Sequence, residues 1–412
     1  MATVVQKFGG TSVGDVEKIK RAADRVYQQK QQGKDVVTVV SAMGKTTDTL
    51  VDLAYQISDE PAQREMDMLL TTGEQVTISL MVMALQERGI EAVSLTGWQA
   101  GIRTEDRHGD ARITNIETET IDGHLEEGKV VIVAGFQGMT EDREITTLGR
   151  GGSDTSAVAL AAALKAESCS IYTDVTGVYT TDPRYIEKAR KLDGITYDEM
   201  LELANLGAGV LHPRAVEFAK NYQIPLIVRS SQENVEGTLV EEDASMEQNL
   251  IVRGIAFESS VTKITVEDLP NEVGSVSGLF SKLAESGINV DIIVQQVNQH
   301  NKMNISFSIH SSSLEETLEI LDREKSTLGF SAIQHEDDLS KVSIVGSGMI
   351  SNPGVAADMF AVLAEKEIPI QMISTSEIKV SVVVSEPDMV NAVEALHTYF
   401  ELDERIPITN ES

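Results

Sequence analysis

Residues Val4 to Gly14 read VVQKFGGTSVG: an apolar, strand-like run closes on Lys7 and breaks at once into Gly9-Gly10-Thr11-Ser12. Glycine lets the backbone approach an anion, a helix N-terminus carries partial positive charge, and the lysine adds a full one. That combination suits a phosphate group, although a tight strand-to-helix turn without a ligand would look the same. Three more glycine or hydroxyl turns follow apolar strands: Ser41-Ala42-Met43-Gly44 with Thr46-Thr47 behind it, Gly135-Phe136-Gln137-Gly138 after VVIVA, and Thr147-Leu148-Gly149-Arg150-Gly151-Gly152-Ser153-Asp154. The last joins a guanidinium able to fork a carboxylate, bare N–H groups and a helix start; a capped helix with a solvated arginine uses the same residues. In Thr173 to Arg184 an apolar strand gives way to a polar loop with an aromatic, an Asp-Pro turn and a cation, parts suited to a nucleoside and its phosphates or to a long surface hairpin.

These turns need a scaffold that gathers them. β-branched runs predict strands over Thr3 to Phe8, Val36 to Ser41, Ala92 to Leu95, Val130 to Ala134, Ser170 to Thr173 and Leu226 to Arg229, with helical periodicity between them. The alternation implies an α/β fold with a largely parallel sheet covered by helices on both faces. Turns at the carboxyl ends of its strands share one edge, where such folds bind ligands.

A first domain over 1–230 is followed by a polar stretch, 231–249, expected as a linker. Beyond it Ile264, Gly274, Phe280, Leu283, Ile288, Val290 and Ile293 recur 80 positions later as Ile344, Gly354, Phe360, Leu363, Ile368, Ile370 and Ile373. Two copies of one small α+β module are expected, over 250–337 and 338–412, with the strand-like 250–261 assignable to either.

Composition narrows the function. With 412 residues and 41% hydrophobic content, the chain can pack more than one core. Lys plus Arg number 34 against 65 Asp plus Glu, a formal charge of -31. That balance argues against nucleic acid and anionic membranes as partners, so any phosphate site must be locally cationic. The lone Cys169 permits neither a disulfide framework nor a multi-cysteine metal site, which fits a cytoplasmic protein, and reads as a buried thiol. Gly44-Lys45-Thr46 is not a P-loop, because Val39 stands where the first glycine is required, and Gly346-Ser347-Gly348 meets Ser351 where a dinucleotide fingerprint needs its third glycine.

Together, KFGGTS, SAMG, TTGEQ, GFQG, TTLGRGGSDTSA, TDVTGVYTTDPR, GAGVLHPRA, VRSS and, in the repeat region, STSEIKVS resemble the aspartate kinases (aspartokinases) of the amino acid kinase superfamily. The resemblance covers essentially the whole chain. It implies an amino acid kinase-type domain followed by two ferredoxin-like ACT modules, and ATP-dependent phosphorylation of the L-aspartate side chain for lysine, threonine and methionine synthesis. Lys7, Arg150 and Asp154 become the catalytic candidates. ATP, accompanied by Mg2+ without protein ligands, is expected against Lys7, Phe8, Gly9 and Gly10, against Ser41, Thr173 and Asp174, along Tyr179, Thr180, Thr181, Asp182, Pro183 and Arg184, and at Gly209. Aspartate is expected against Thr47, Glu74, His124, Leu125, Arg150, Gly151, Gly152 and Ser153, with Glu74 taking its α-ammonium, Arg150 its α-carboxylate, and Asp154 orienting Lys7.

The modules are implied to sense lysine, with or without threonine, at Gly274, Ser275 and Val276, at Asn289, Val290, Asp291 and Gln295, at Val355 and Ala356, and at Ser376 and Glu377. They are also implied to carry homodimerisation, and some relatives pair the long chain with a short subunit, for which Met246 offers a start. Two departures stand out: Gly209 replaces a lysine common near the phosphates, leaving Arg184, Arg214, the metal or backbone N–H groups to supply the charge, and Val273-Gly274 replaces the Pro-Gly that Pro353-Gly354 keeps. Kinases of the same fold acting on glutamate, N-acetylglutamate, a nucleotide monophosphate or carbamate are the competing enzymes, and an amino-acid sensor with a decayed kinase domain the competing class.

Overall fold

The computed structural model describes residues 2–207, 209–243 and 250–403. They gather into two compact units: one holds the chain up to Tyr179, Lys191–Asn205 and 209–243, the other Thr180–Arg190, 206–207 and 250–403.

The first unit runs β1 (Thr3–Phe8), α1 (Val16–Gln31), β2 (Asp35–Val40), α2 (Thr46–Tyr55), α3 (Gln63–Leu70), α4 (Thr72–Gln86) and β3 (Ala92–Leu95). It continues through β4 (Ile102–Thr104), β5 (Ile113–Ile116), α5 (Glu119–Glu126), β6 (Val130–Ala134), β7 (Gln137–Met139), β8 (Ile145–Thr147), α6 (Gly152–Ala163) and β9 (Ser168–Thr173). The last elements are β10 (Gly194–Thr196), α7 (Tyr197–Asn205), α8 (Pro213–Tyr222), β11 (Leu226–Ser230) and β12 (Thr238–Glu241). An eight-stranded sheet has the order β10-β12-β11-β9-β1-β2-β6-β3 and is parallel except where β11 meets β12. Every residue of β6, VVIVA, is buried, as a central strand covered on both faces requires. On one face α1 offers Ile19, Ala22, Ala23 and Val26, a helical stripe, to a core with Val4, Phe8, Met81, Leu85 and Ile132. Asp15 caps that helix by accepting the Lys18 N–H at 2.8 Å.

Two expectations are corrected here. Gln137-Gly138, read as part of a turn, forms β7 in a second, four-stranded sheet ordered β5-β4-β7-β8. Strands of three or four residues are too short to show a period, and the glycine is needed for close approach: a Cβ on Gly138 would lie 2.6 Å from the Thr104 methyl. The stretch read as a linker contributes β12, antiparallel to β11 and parallel to β10, with the buried Thr238 hydroxyl donating to the Leu192 carbonyl at 2.6 Å. Met246 lies outside the described residues.

The second unit follows β13 (Gly254–Pro270), α9 (Ser275–Glu285), β14 (Asp291–Val297), β15 (Lys302–His310), α10 (Leu314–Leu328), β16 (Ala332–Val345), α11 (Val355–Glu365), β17 (Met372–Thr375), β18 (Lys379–Ser385) and α12 (Met389–Tyr399). Its single antiparallel sheet has the order β14-β15-β13-β16-β18-β17. The long strands β13 and β16 each serve both repeats. Val261–Glu267 pairs with Leu339–Ala332 to finish the first, whereas Gly254–Glu258 pairs with Val345–Lys341 and supplies the second repeat's fourth strand. The start of β13 therefore belongs with the second copy. Each copy has its own core, one around Ile264, Leu283 and Phe307, the other around Ile255, Ile344 and Leu363. Gly274 and Gly354 cap α9 and α11 at φ 97 and 114, a region that favours glycine.

Candidate active site

The loops at the carboxyl ends of β1, β2, β6 and β9 are stitched together by their backbones. Gly9 N–H donates to Tyr172 O (3.4 Å), Ser41 N–H to Phe8 O (3.1 Å), Gly44 N–H to Gly10 O (3.0 Å) and Gly135 N–H to Val40 O (3.0 Å). A Cβ on Gly10 would stand 3.0 Å from Ala42 O, so the first two loops can meet only at glycine. Lys7, one residue before the end of its strand, points at α6, where its Nζ lies 2.6 Å from Asp154 Oδ1 with both side chains largely buried. An ammonium held this way keeps its place without a bound anion.

Glu74, in the first turn of α4, is 3% exposed. Its Oε1 accepts the Ala42 N–H at 2.9 Å, while Oε2 is buried with no partner among the described residues. Burial pushes its carboxyl up to about 7, against the pull of the backbone hydrogen bonds. A half-paired buried carboxylate is a receptor for a cation. Arg150 is exposed and makes no hydrogen bond or ion pair among the described residues, so its fork is available to an incoming carboxylate. Gly151 (φ 68) and Gly152 then open α6, with the Gly152 N–H donating to Gly149 O at 3.0 Å. A Cβ on Gly135 would lie 2.8 Å from Ser153 Oγ, which places the β6 loop against the Arg150 loop.

Thr47 sits half-buried in the first turn of α2. His124 and Leu125 are not brought to this edge: they end α5, which leads into the amino end of β6, whereas the loops gather at the carboxyl ends. A short helix before a strand cannot reach past that strand's length. Arg184, offered as a substitute for the missing lysine, chelates Asp182 at 2.6 Å and holds that carboxyl below its usual range. Arg214 is committed to Leu148 O and Asp110. Gly209 itself is exposed at φ 63. Thr173 donates to Asp174 at 3.0 Å, and Tyr179 pairs with Thr176 at 2.8 Å. Residues Thr180 to Arg184 are built into the second unit, where Thr180 bonds His397 Nε2 at 2.9 Å and its carbonyl accepts the Ile255 N–H at 2.7 Å. Burial pushes the Cys169 thiol up, consistent with an inert core residue.

His212 is a neighbour the motifs had not singled out. It caps α8, its ring stands where a Cβ on Gly151 would be, 2.1 Å away, and burial holds its imidazole below the ordinary value. Its signal was its place inside GAGVLHPRA, where it precedes a proline.

In the second unit Gly274 to Val276 and Val355-Ala356 open α9 and α11. Val355 is 6% exposed and packs in the core, so its side chain is not open to a ligand. Ser376 and Glu377 lie exposed in the turn between β17 and β18, Asn289 and Gln295 are exposed on or beside β14, and Val290 packs against the first core. Asp291 already has a partner: the buried Lys341 ammonium lies 2.5 Å from its Oδ2 and 2.8 Å from Glu258 Oε2. An effector ammonium at Asp291 would have to share it with Lys341.

Residues 2–230 match the model of the amino acid kinase family, and residues 342–400 that of the ACT domain. The chain is 67% identical over 402 residues to Aspartokinase 2 of Bacillus subtilis (strain 168), covering 98% of both, and 47% identical over 408 residues to the aspartokinase of Mycolicibacterium smegmatis, covering 98% of this chain and 97% of that one. Among solved structures it is similar to E. coli aspartokinase III in complex with aspartate and ADP (R-state), at TM-score 0.78 and 28% identity over 96% of this chain and 99% of that one. The complex of that enzyme with lysine and aspartate (T-state) gives TM-score 0.77 at the same identity and coverage. The chain belongs to the amino acid kinase family, and within it to the aspartokinases.

Proposed function

We propose that the chain transfers the γ-phosphoryl group of ATP to the side-chain carboxylate of L-aspartate, giving 4-phospho-L-aspartate and ADP as the first step toward lysine, threonine and methionine in the cytoplasm. The observation that carries this reading is the gathering, on one sheet edge, of the Lys7–Asp154 pair, the half-paired Glu74 and the open Arg150. A related enzyme crystallised with aspartate and ADP supports it.

The nucleophile is ionised at neutral pH, given a reference pKa of about 3.9, so no general base is required. Its approach to the γ-phosphate is opposed by charge: two unit charges about 4 Å apart repel by about 4 kcal/mol at an effective dielectric near 20. Lys7 and the Gly10 N–H offset that repulsion by standing where charge accumulates. One carboxylate oxygen bonds to the γ-phosphorus as the β–γ bridging P–O bond breaks, and ADP leaves with the electron pair. Glu74 takes the α-ammonium and Arg150 forks the α-carboxylate, which aims the side chain at the phosphate. Mg2+ would accompany the nucleotide substrate, held mostly by its phosphates and water, and would offset phosphate charge there.

The C-terminal repeats act as the sensor for lysine, with or without threonine, and as the contact between copies in a dimer. The related enzyme bound to lysine supports the first part. Coupled measurement of ADP release with aspartate, glutamate and a panel of amino-acid effectors tests the reading. Aspartate-dependent ADP release suppressed by lysine is the expected result; release with glutamate alone would overturn it.

A further inference from the structure

Asp67 belongs to none of the residue sets above, yet it is fully buried on α3 and saturated with donors. Its Oδ1 accepts the Thr147 hydroxyl at 2.6 Å, its Oδ2 the His108 Nδ1–H at 2.7 Å, and both share the Gly109 N–H at 3.2 Å. Sinking a carboxylate into a core is costly, and buried ion networks are often replaceable by apolar residues without loss of stability. Stability alone therefore does not account for it.

The donors come from two segments that flank one loop. Thr147 ends β8, three residues before Arg150. The turn at Gly109-Asp110 lies against Gly149: a Cβ there would stand 2.7 Å from Asp110 Oδ1 and 3.3 Å from Gly109 O. The Ala111 N–H donates to Thr147 O at 2.9 Å. From the far side, Arg214 bridges Leu148 O at 2.8 Å, Asp110 Oδ1 at 3.0 Å and Ala111 O at 3.2 Å. The backbone on which Arg150 rides is thus fastened from both sides, while the Arg150 guanidinium itself has no tether among the described residues.

We propose that Asp67 is a positioning residue for the acceptor substrate: through Thr147 and the Gly109-Asp110 turn it sets where Arg150 presents its fork. This rests on the reading that Arg150 binds the aspartate α-carboxylate. A fork makes two parallel bonds at once and tolerates displacements of only about 0.5 Å, so slack in the loop is read out as lost acceptor binding. The ATP-facing Gly9-Gly10 loop hangs on other partners and is left alone.

The test is steady-state kinetics on the full chain, with melting temperature measured alongside. Asp67→Asn should raise the aspartate KM about tenfold or more while the ATP KM stays within about twofold. Thr147→Val should shift the same constant in the same direction, and Thr147→Ser, which restores the hydroxyl, should return it toward the wild-type value. Should Asp67→Asn fail to fold, the Thr147 pair decides. A merely structural role would lower the melting temperature or the active fraction without separating the two KM values. That pattern, or an unchanged aspartate KM in both Asp67→Asn and Thr147→Val, overturns the proposal. Wild type and Arg150→Lys are assayed in parallel: a wild type that does not use aspartate, or an Arg150→Lys enzyme with normal aspartate KM, removes the underlying reading and the proposal with it. Normal controls with unaffected Asp67 and Thr147 variants remove the proposal alone.

Discussion

Lys7 Nζ, at the carboxyl end of β1, sits 2.6 Å from Asp154 Oδ1 in the first turn of α6. The contact exists because β1 lies at the centre of the sheet and α6 packs across it. The pair fixes a cation beside the glycine turn before any substrate arrives, which is the preorganisation an electrostatic catalyst requires. Lys7→Ala should lower kcat by about 100-fold or more, the usual cost of one preorganised donor, with a smaller change in the aspartate KM. Near wild-type turnover in that variant would remove Lys7 from the phosphoryl-transfer step.

Burial of Glu74 makes stability depend on pH. Its folded pKa, about 7, stands above the reference 4.5. Between those values the native state keeps a proton that the unfolded chain has lost, so this group's contribution to stability is fully present below pH 4.5 and is lost as pH rises through about 7. The loss is on the order of 3 kcal/mol. Glu74→Gln should therefore melt higher than wild type at pH 8 and alike at pH 4, as calorimetry can check. A lower melting point at pH 8 would contradict the burial argument.

The same group gives acceptor binding a pH dependence. A protonated Glu74 cannot hold an ammonium, so kcat/KM for aspartate should fall about tenfold per pH unit below 7, and Glu74→Gln should flatten that limb while raising the KM. An unchanged profile in the variant would assign the titration elsewhere.

At Arg150 the chemistry demands a fork and not a charge alone. Arg150→Lys should raise the aspartate KM far more than the ATP KM, because an ammonium cannot make two parallel bonds. Equal effects on both substrates would count against the assignment.

If lysine is the effector, as proposed, the carboxylate expected to meet it is one that the chain already uses. Since Asp291 is shared with Lys341 and Glu258, an effector ammonium competes with Lys341 for it. Lys341→Met should lower the lysine concentration for half-inhibition, and Glu377→Ala should raise it, each measured as activity with and without lysine in the same variant. Coupling of about 1 to 3 kcal/mol, 5- to 150-fold, sets the scale. Sensitivity unmoved in both variants would place the effector elsewhere.

Much of this was legible from residue patterns, because the features that carry it are local. VVIVA is apolar at every position and is a central strand; KFGGTS and LGRGGSD advertise their turns through glycine. The missed parts depend on long-range partners. Gln137–Met139 and Thr238–Glu241 are strands because β8 and β11 lie beside them. Asp67 gives no local sign of its role, since an acid in EMDMLL reads as a surface position until His108 and Thr147 fold onto it. His124 failed for the converse reason: nothing near it in sequence reveals which end of the sheet its helix serves.

The central claim is that an aspartate side-chain oxygen attacks the γ-phosphorus. It is tested most directly by supplying L-aspartate labelled with 18O in the side-chain carboxylate and trapping the acyl phosphate with hydroxylamine. Attack on the acyl carbon by hydroxylamine releases phosphate that retains the oxygen that formed the P–O bond. One 18O in each released phosphate, with the hydroxamate at the side-chain carbonyl, is the expected result. Unlabelled phosphate, or a hydroxamate at the α-carboxyl, would contradict it.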